Sequence, residues 1–149
     1  MEVQVRNLRG SSLAIGSSGS RTVTIDRASH LGGEGQGFNG GELLLLALGA
    51  CYSNDLFREA DKQSIKIHDV RVSVSADWGG DPVIAKNVAM SVEVDAEADQ
   101  ALVRDLIEHT FRVAEIPNSL RMGAEIKFLG RVIARNEYTF RDEVSGRQR

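Results

Sequence analysis

Apolar and polar positions alternate through the first part of the chain and then stop alternating. Val3 and Val5 are separated by polar neighbours, as are Val23 and Ile25, so residues 1–27 read as strands with one apolar face. Ser11, Ser12 and the run Gly16-Ser-Ser-Gly-Ser20 divide that region into hairpin-like pieces. A loop with six glycines follows over residues 30–41. The next stretch, Glu42-Leu-Leu-Leu-Leu-Ala-Leu-Gly-Ala-Cys51, predicts a helix from about Gly41 to Gln63. Its first half is apolar on every side and belongs in the centre of the fold. Its second half, Phe57-Arg-Glu-Ala-Asp-Lys, carries charge and should emerge to solvent.

Alternation then returns. Val70, Val72, Val74 and Ala76 mark a strand with one buried face, Gly79-Gly-Asp-Pro82 a turn, and Val88, Met90, Val92 and Val94 a second strand. Asp95 is placed to cap a second helix, with Glu97 in its first turn. Leu102, Val103, Leu106, Ile107, Phe111 and Ala114 give that helix one apolar face, and Pro117 should end it. Ala124, Ile126 and Phe128 suggest a last strand, and residues 136–149 form a polar tail that Tyr138 and Phe140 could tie down in part. Strands, helix, two strands, helix, strand is an α+β order with mostly antiparallel pairing.

A chain of 149 residues is one domain, 1–149, long enough to bury a core. A net charge of −3 offers no general attraction to nucleic acid or to an anionic membrane. The longest apolar run, Leu43–Tyr52, is about half of a bilayer span and reads as a buried helix. One cysteine excludes an intrachain disulfide and fits a reducing, cytoplasmic setting.

Gly35-Gln-Gly-Phe-Asn-Gly40 has the spacing of a dinucleotide fingerprint, but the preceding strand ends near Asp26, and the acidic residues at the right distance, Glu59 and Asp61, lie on the helix. The stretch reads better as a loop packed over the helix start. His30, His68 and His109 are scattered without ligand spacing and read as surface or boundary residues, so no metal and no cofactor is expected. Trp78, beside a Gly-Gly turn, reads as an edge packing residue.

Cys51 has two readings. A buried thiol behaves as a small inert hydrophobe. Yet Ala47 and Leu48 lie one turn before it and Asn54 and Asp55 one turn after, so it stands where an apolar face becomes polar. The helix dipole has faded ten residues in, and Asp55 would raise the thiol pKa, so a reactive thiolate would need an arginine from elsewhere.

The glycine-rich loop, Glu42-Leu-Leu and Gly49-Ala-Cys51 together resemble the OsmC/Ohr family of osmotically inducible and organic hydroperoxide resistance proteins. Ile67-His-Asp-Val-Arg-Val-Ser-Val and Ile116-Pro-Asn-Ser-Leu120 extend the resemblance over nearly the whole chain. It implies a curled antiparallel sheet packed on two long central helices, in an intertwined homodimer with thiol sites between subunits. In active members of that family the first-helix cysteine attacks an organic hydroperoxide, a second cysteine resolves the sulfenic acid, and an arginine and a glutamate stabilise the thiolate. Here Ile116 stands at the second cysteine's position and Gly41 at the glutamate's. Glu42, nine residues before Cys51, faces the opposite side of the helix about 13 Å up the axis and reads as a helix-start charge. Arg6 and Arg9 lie in the region where the arginine belongs, with no distinctive motif around either.

The resulting expectation is a cytoplasmic homodimer with Cys51 as the catalytic thiol. It would reduce organic hydroperoxides with an external thiol as partner. The alternative is a non-enzymatic binder of small apolar ligands in the dimer cleft, with Cys51 as part of the wall.

Overall fold

The computed structural model describes residues 1–130. Strands β1 (Gln4–Asn7), β2 (Ala14–Ser18) and β3 (Arg21–Ile25) form an antiparallel meander. Helix α1 (Gly40–Lys62) follows, then the long strands β4 (Ile67–Gly79) and β5 (Ile84–Ala96), paired antiparallel, then α2 (Gln100–Val113) and α3 (Glu115–Arg121). The α+β class is as expected. The antiparallel sheet comes in two pieces, and a single parallel bridge, Ile25 with Phe38, runs from the end of β3 to the glycine-rich loop.

Helix α1 begins where its cap is complete. The Asn39 side chain accepts the Glu42 N–H at 3.0 Å, and Glu42 accepts the Asn39 N–H at 2.8 Å, a reciprocal capping box. Tyr52, Leu56, Ala60, Ile65, Leu106 and Ala114 form the buried centre, and Val70, Val72, Met90, Val92 and Val94 from the hairpin close over it. The first half of α1 is only partly covered within one chain: Leu48 is buried, while Leu46 is 50% exposed.

The glycine-rich loop is organised by Asp26. Its buried carboxylate accepts the N–H groups of Arg27 (2.8 Å), Glu34 (2.9 Å) and Gln36 (3.2 Å) and the Ser12 hydroxyl (3.2 Å). Burial would raise this carboxyl, but those donors outweigh it and hold it below the ordinary value. At Gly37 a Cβ would lie 2.7 Å from the Thr24 carbonyl oxygen, so this glycine serves close packing against β3.

Three local expectations are corrected. Asp95 does not cap a helix: β5 runs through it to Ala96, which pairs with Ile67, because the ladder continues to pair residues that a cap would withdraw. The helix starts at Gln100, with Asp99 at the cap position and no side-chain bond from it. Nor does α2 run up to Pro117. It ends at Val113, Ala114 is extended, and Pro117 sits buried in the first turn of α3, where its missing N–H costs nothing. Residues 124–130 form no strand. Ile126 and Phe128 are each 93% exposed, so nothing among the described residues buries the face that alternation predicted. The polar tail from Asn136, with Tyr138 and Phe140, lies outside the described residues.

Glu59 couples the fold to pH. Hydrogen bonds from Lys62 and Arg58, with His109 adding to them, hold its carboxyl down at about 2 against the desolvation that would raise it. A depressed carboxyl stabilises the folded state above its unfolded value of 4.5, and that contribution is lost as pH falls from there toward 2. Glu59→Gln should therefore unfold at lower denaturant at pH 7, and the gap to wild type should narrow below pH 4.5 and close only as pH approaches about 2. Urea midpoints measured at several pH values check this.

Candidate functional site

The site is built by one face of α1 and the break between α2 and α3. On α1, Cys51, Asp55 and Arg58 follow at spacings that stack them on one face. At the break, extended Ala114 redirects the chain so that Glu115 and Ile116 open α3 against that face. The first N–H groups of a helix have no partner within it. The Ile116 N–H is donated to the Cys51 sulfur at 3.4 Å.

Cys51 is half-buried, and its surroundings are polar. Its Sγ lies 3.6 Å from Asp55 Oδ2 and 4.0 Å from Glu115 Oε2. Asp55 is 3% exposed, and its other oxygen meets Arg58 Nη1 at 2.5 Å. Arg58 also pairs with Glu59 at 3.1 Å and with Glu115 at 3.6 Å. Glu59 in turn takes Lys62 at 2.8 Å and His109 of α2 at 3.3 Å.

Burial pushes the thiol pKa up. The Ile116 N–H opposes that shift, the nearby Asp55 charge adds to it, and the net direction is upward. Arg58 would favour a thiolate, but it is bonded to carboxylates, which raise its own pKa further and fix its charge on them.

Cys51 thus sits beside carboxyl groups and an arginine rather than in an apolar core. The Ile116 backbone lies beside it. Gly41 is at the helix start under Trp78: a Cβ there would lie 2.7 Å from the indole Cζ2, so the ring occupies space that a larger side chain would need. Glu42 is spent on the capping box. The arginine that meets the carboxylates beside Cys51 is Arg58. Among the described residues neither Arg6 nor Arg9 pairs with the site's carboxylates. The sequence carried a signal for Arg58 and Asp55, at three and four residues' spacing along one helix face from Cys51 onward. Glu115 left none, since only the chain break brings it back.

The expectation of no metal rested on histidine and cysteine spacing along the sequence. The structure places ligand atoms of Cys51, Asp55 and Glu115 within 4.8 Å of one another. Arg58 already pairs with both carboxylates, so a cation there would compete with it. His30 is exposed, and His68 pairs with Glu97 at 2.9 Å. No helix among the described residues is long and apolar enough to cross a membrane.

Fold and site together define an α+β protein with a single thiol held beside carboxylates. Residues 33–128 match the family model described as OsmC-like protein, and the chain belongs to that family. The fold is shared with the OsmC-like protein of Mycoplasma pneumoniae, at 18% identity over 80% of this chain and 86% of that one, with a TM-score of 0.71. It is also shared with an organic hydroperoxide resistance protein OsmC from Legionella pneumophila, at 19% identity, 80% and 88% coverage and a TM-score of 0.57. The organic hydroperoxide resistance protein OhrB of Bacillus subtilis matches at 18% identity, 82% and 90% coverage and a TM-score of 0.58. A search of curated protein sequences found no match.

A raised thiol pKa makes a direct prediction. The rate of Cys51 alkylation by iodoacetamide should be low at pH 7 and still rising above pH 9, because only the thiolate reacts. A plateau reached below pH 8 would contradict the site as described.

Proposed function

We propose that the protein reduces organic hydroperoxides through Cys51 and an external thiol. The observation that carries this reading is the polar setting of the sulfur, with Ile116 N–H on one side and the Asp55–Arg58 pair on the other. Core filler needs no such partners. The family, whose solved members include proteins named for organic hydroperoxide resistance, supports the substrate class.

In the first step the sulfur attacks the terminal oxygen of the hydroperoxide. An S–O bond forms, the O–O bond breaks, the substrate leaves as its alcohol and Cys51 becomes a sulfenic acid. No second cysteine exists in the chain, so an external thiol attacks the sulfenic acid, water leaves, and a second thiol releases the mixed disulfide. Turnover of cumene hydroperoxide should therefore require an added small thiol. Without it, wild type should inactivate after about one equivalent, with the added mass on Cys51. Ile116→Cys should form a disulfide with Cys51 on oxidation and relieve that inactivation, since backbone at position 116 already touches the sulfur. If wild type and Cys51→Ser consume peroxide equally slowly, the thiol reading fails. Binding of an apolar ligand then takes its place, in the groove of about 560 Å³ between α1 and β4.

The same groove bears on assembly. Phe38 and Leu46 are 46% and 50% exposed along it, and Leu45, Val70, Val72 and Val74 line its floor. In this reading a second copy covers that face in a homodimer, burying more than about 2,000 Å². Sedimentation at low micromolar concentration should give a single species of twice 16.2 kDa. A folded monomer would refute it.

A further inference from the structure

We propose that Asp55 is the proton carrier of the Cys51 reaction: it accepts the thiol proton as the sulfur attacks and delivers that proton to the departing alkoxide, with Arg58 holding the carboxylate in position. This inference rests on the hydroperoxide reading above and adds a catalytic residue to it.

Two facts about the leaving group and the nucleophile create the need. An alkoxide is too basic to depart without a proton, and a neutral thiol must lose one to attack. A single group that takes the first proton and supplies the second meets both requirements. Asp55 is placed for it. Its Oδ2 faces Sγ at 3.6 Å, and its Oδ1 is held by Arg58 from the next turn of the same helix. At 3% exposure it is shielded from bulk water, beside the spot where the oxygen leaves.

The other charged groups around the thiol are less suited. Glu115, on α3, lies farther from sulfur at 4.0 Å, and its side chain is 71% exposed. Glu59, on α1, is occupied by Arg58, Lys62 and His109, and α2 reaches the cluster only through that histidine. The step balances. The terminal OH of the hydroperoxide passes to sulfur, sulfur is oxidised from thiol to sulfenic acid, the peroxide is reduced to an alcohol, and the thiol proton ends on the alcohol oxygen through Asp55.

A carboxylate that merely sits near a thiol suppresses its thiolate, and this difference gives the test. Alkylation by iodoacetamide draws on thiolate already in equilibrium with solvent and releases iodide, which needs no proton. Hydroperoxide reduction releases an alkoxide, which does. In Asp55→Asn the alkylation rate should hold or rise, because a negative charge beside the sulfur is gone. The rate of reduction of cumene hydroperoxide, measured with excess small thiol, should fall by about 10²-fold. Asp55→Glu should recover part of the reduction rate. Arg58→Lys, which keeps Asp55 but loosens its anchor, should slow reduction without slowing alkylation, and it provides the same contrast if Asp55→Asn does not fold. Rates that move together in both variants, up or down, overturn the proton carrier and leave the hydroperoxide reading standing. Wild type that is alkylated at Cys51 but consumes no peroxide overturns the hydroperoxide reading, and this inference with it.

Discussion

Burial of one stripe of α1 forces most of what is distinctive about this protein. Leu48, Tyr52, Leu56 and Ala60 recur every four residues and are buried against the hairpin and α2. On a helix of 3.6 residues per turn, Cys51, Asp55 and Glu59 form the adjacent stripe, about 60° away. Sinking the first stripe deeply enough to hide Tyr52 and Leu56 completely takes Asp55 and Glu59 out of water as well, to 3% and 5% exposure. Buried carboxylates must be paired, and removing a partner would leave an uncompensated charge. Arg58 and Lys62 from α1 and His109 from α2 supply the pairing. The charged cluster beside the thiol therefore follows from packing.

That arrangement shapes the chemistry available to Cys51. A thiol can be made reactive by placing free positive charge near it. Here the nearest positive charge is already shared among three carboxylates, and burial pushes the thiol pKa up. The same carboxylate that suppresses the thiolate is the one positioned to handle the proton. Whether suppression or transfer dominates depends on the reaction partner, since only some leaving groups need a proton.

The ends of the elements are set by different forces. The start of α1 is a matter of local hydrogen bonding, with Asn39 and Glu42 closing a box that the sequence displays directly. The end of α2 is not. Proline excludes a continuous helix, but the helix breaks three residues before it, at extended Ala114, which lets Pro117 lie buried in the first turn of α3. Cys51 gains its Ile116 donor and its Glu115 neighbour from that offset.

Much of this was legible in the residues. Alternation located β4 and β5, the all-round apolar run located α1, and the loop, helix and cysteine together indicated the family that the match over residues 33–128 shows. The polar flank of Cys51 was visible too, because residues four apart on a helix are neighbours whatever the fold. Three features were invisible, each for a physical reason. Asp95 has the chemistry of a cap, but strand pairing with β4 retained it. Residues 124–128 have the alternation of a strand, but a strand needs a partner, and none of the described residues pairs with them. Glu115 is 64 residues from Cys51, and only the packing of α3 on α1 brings the two together. Sequence determined the periodicities, and with them the elements and the thiol's own helix face. Contacts between distant residues required the tertiary structure, because their energies depend on which buried surfaces meet.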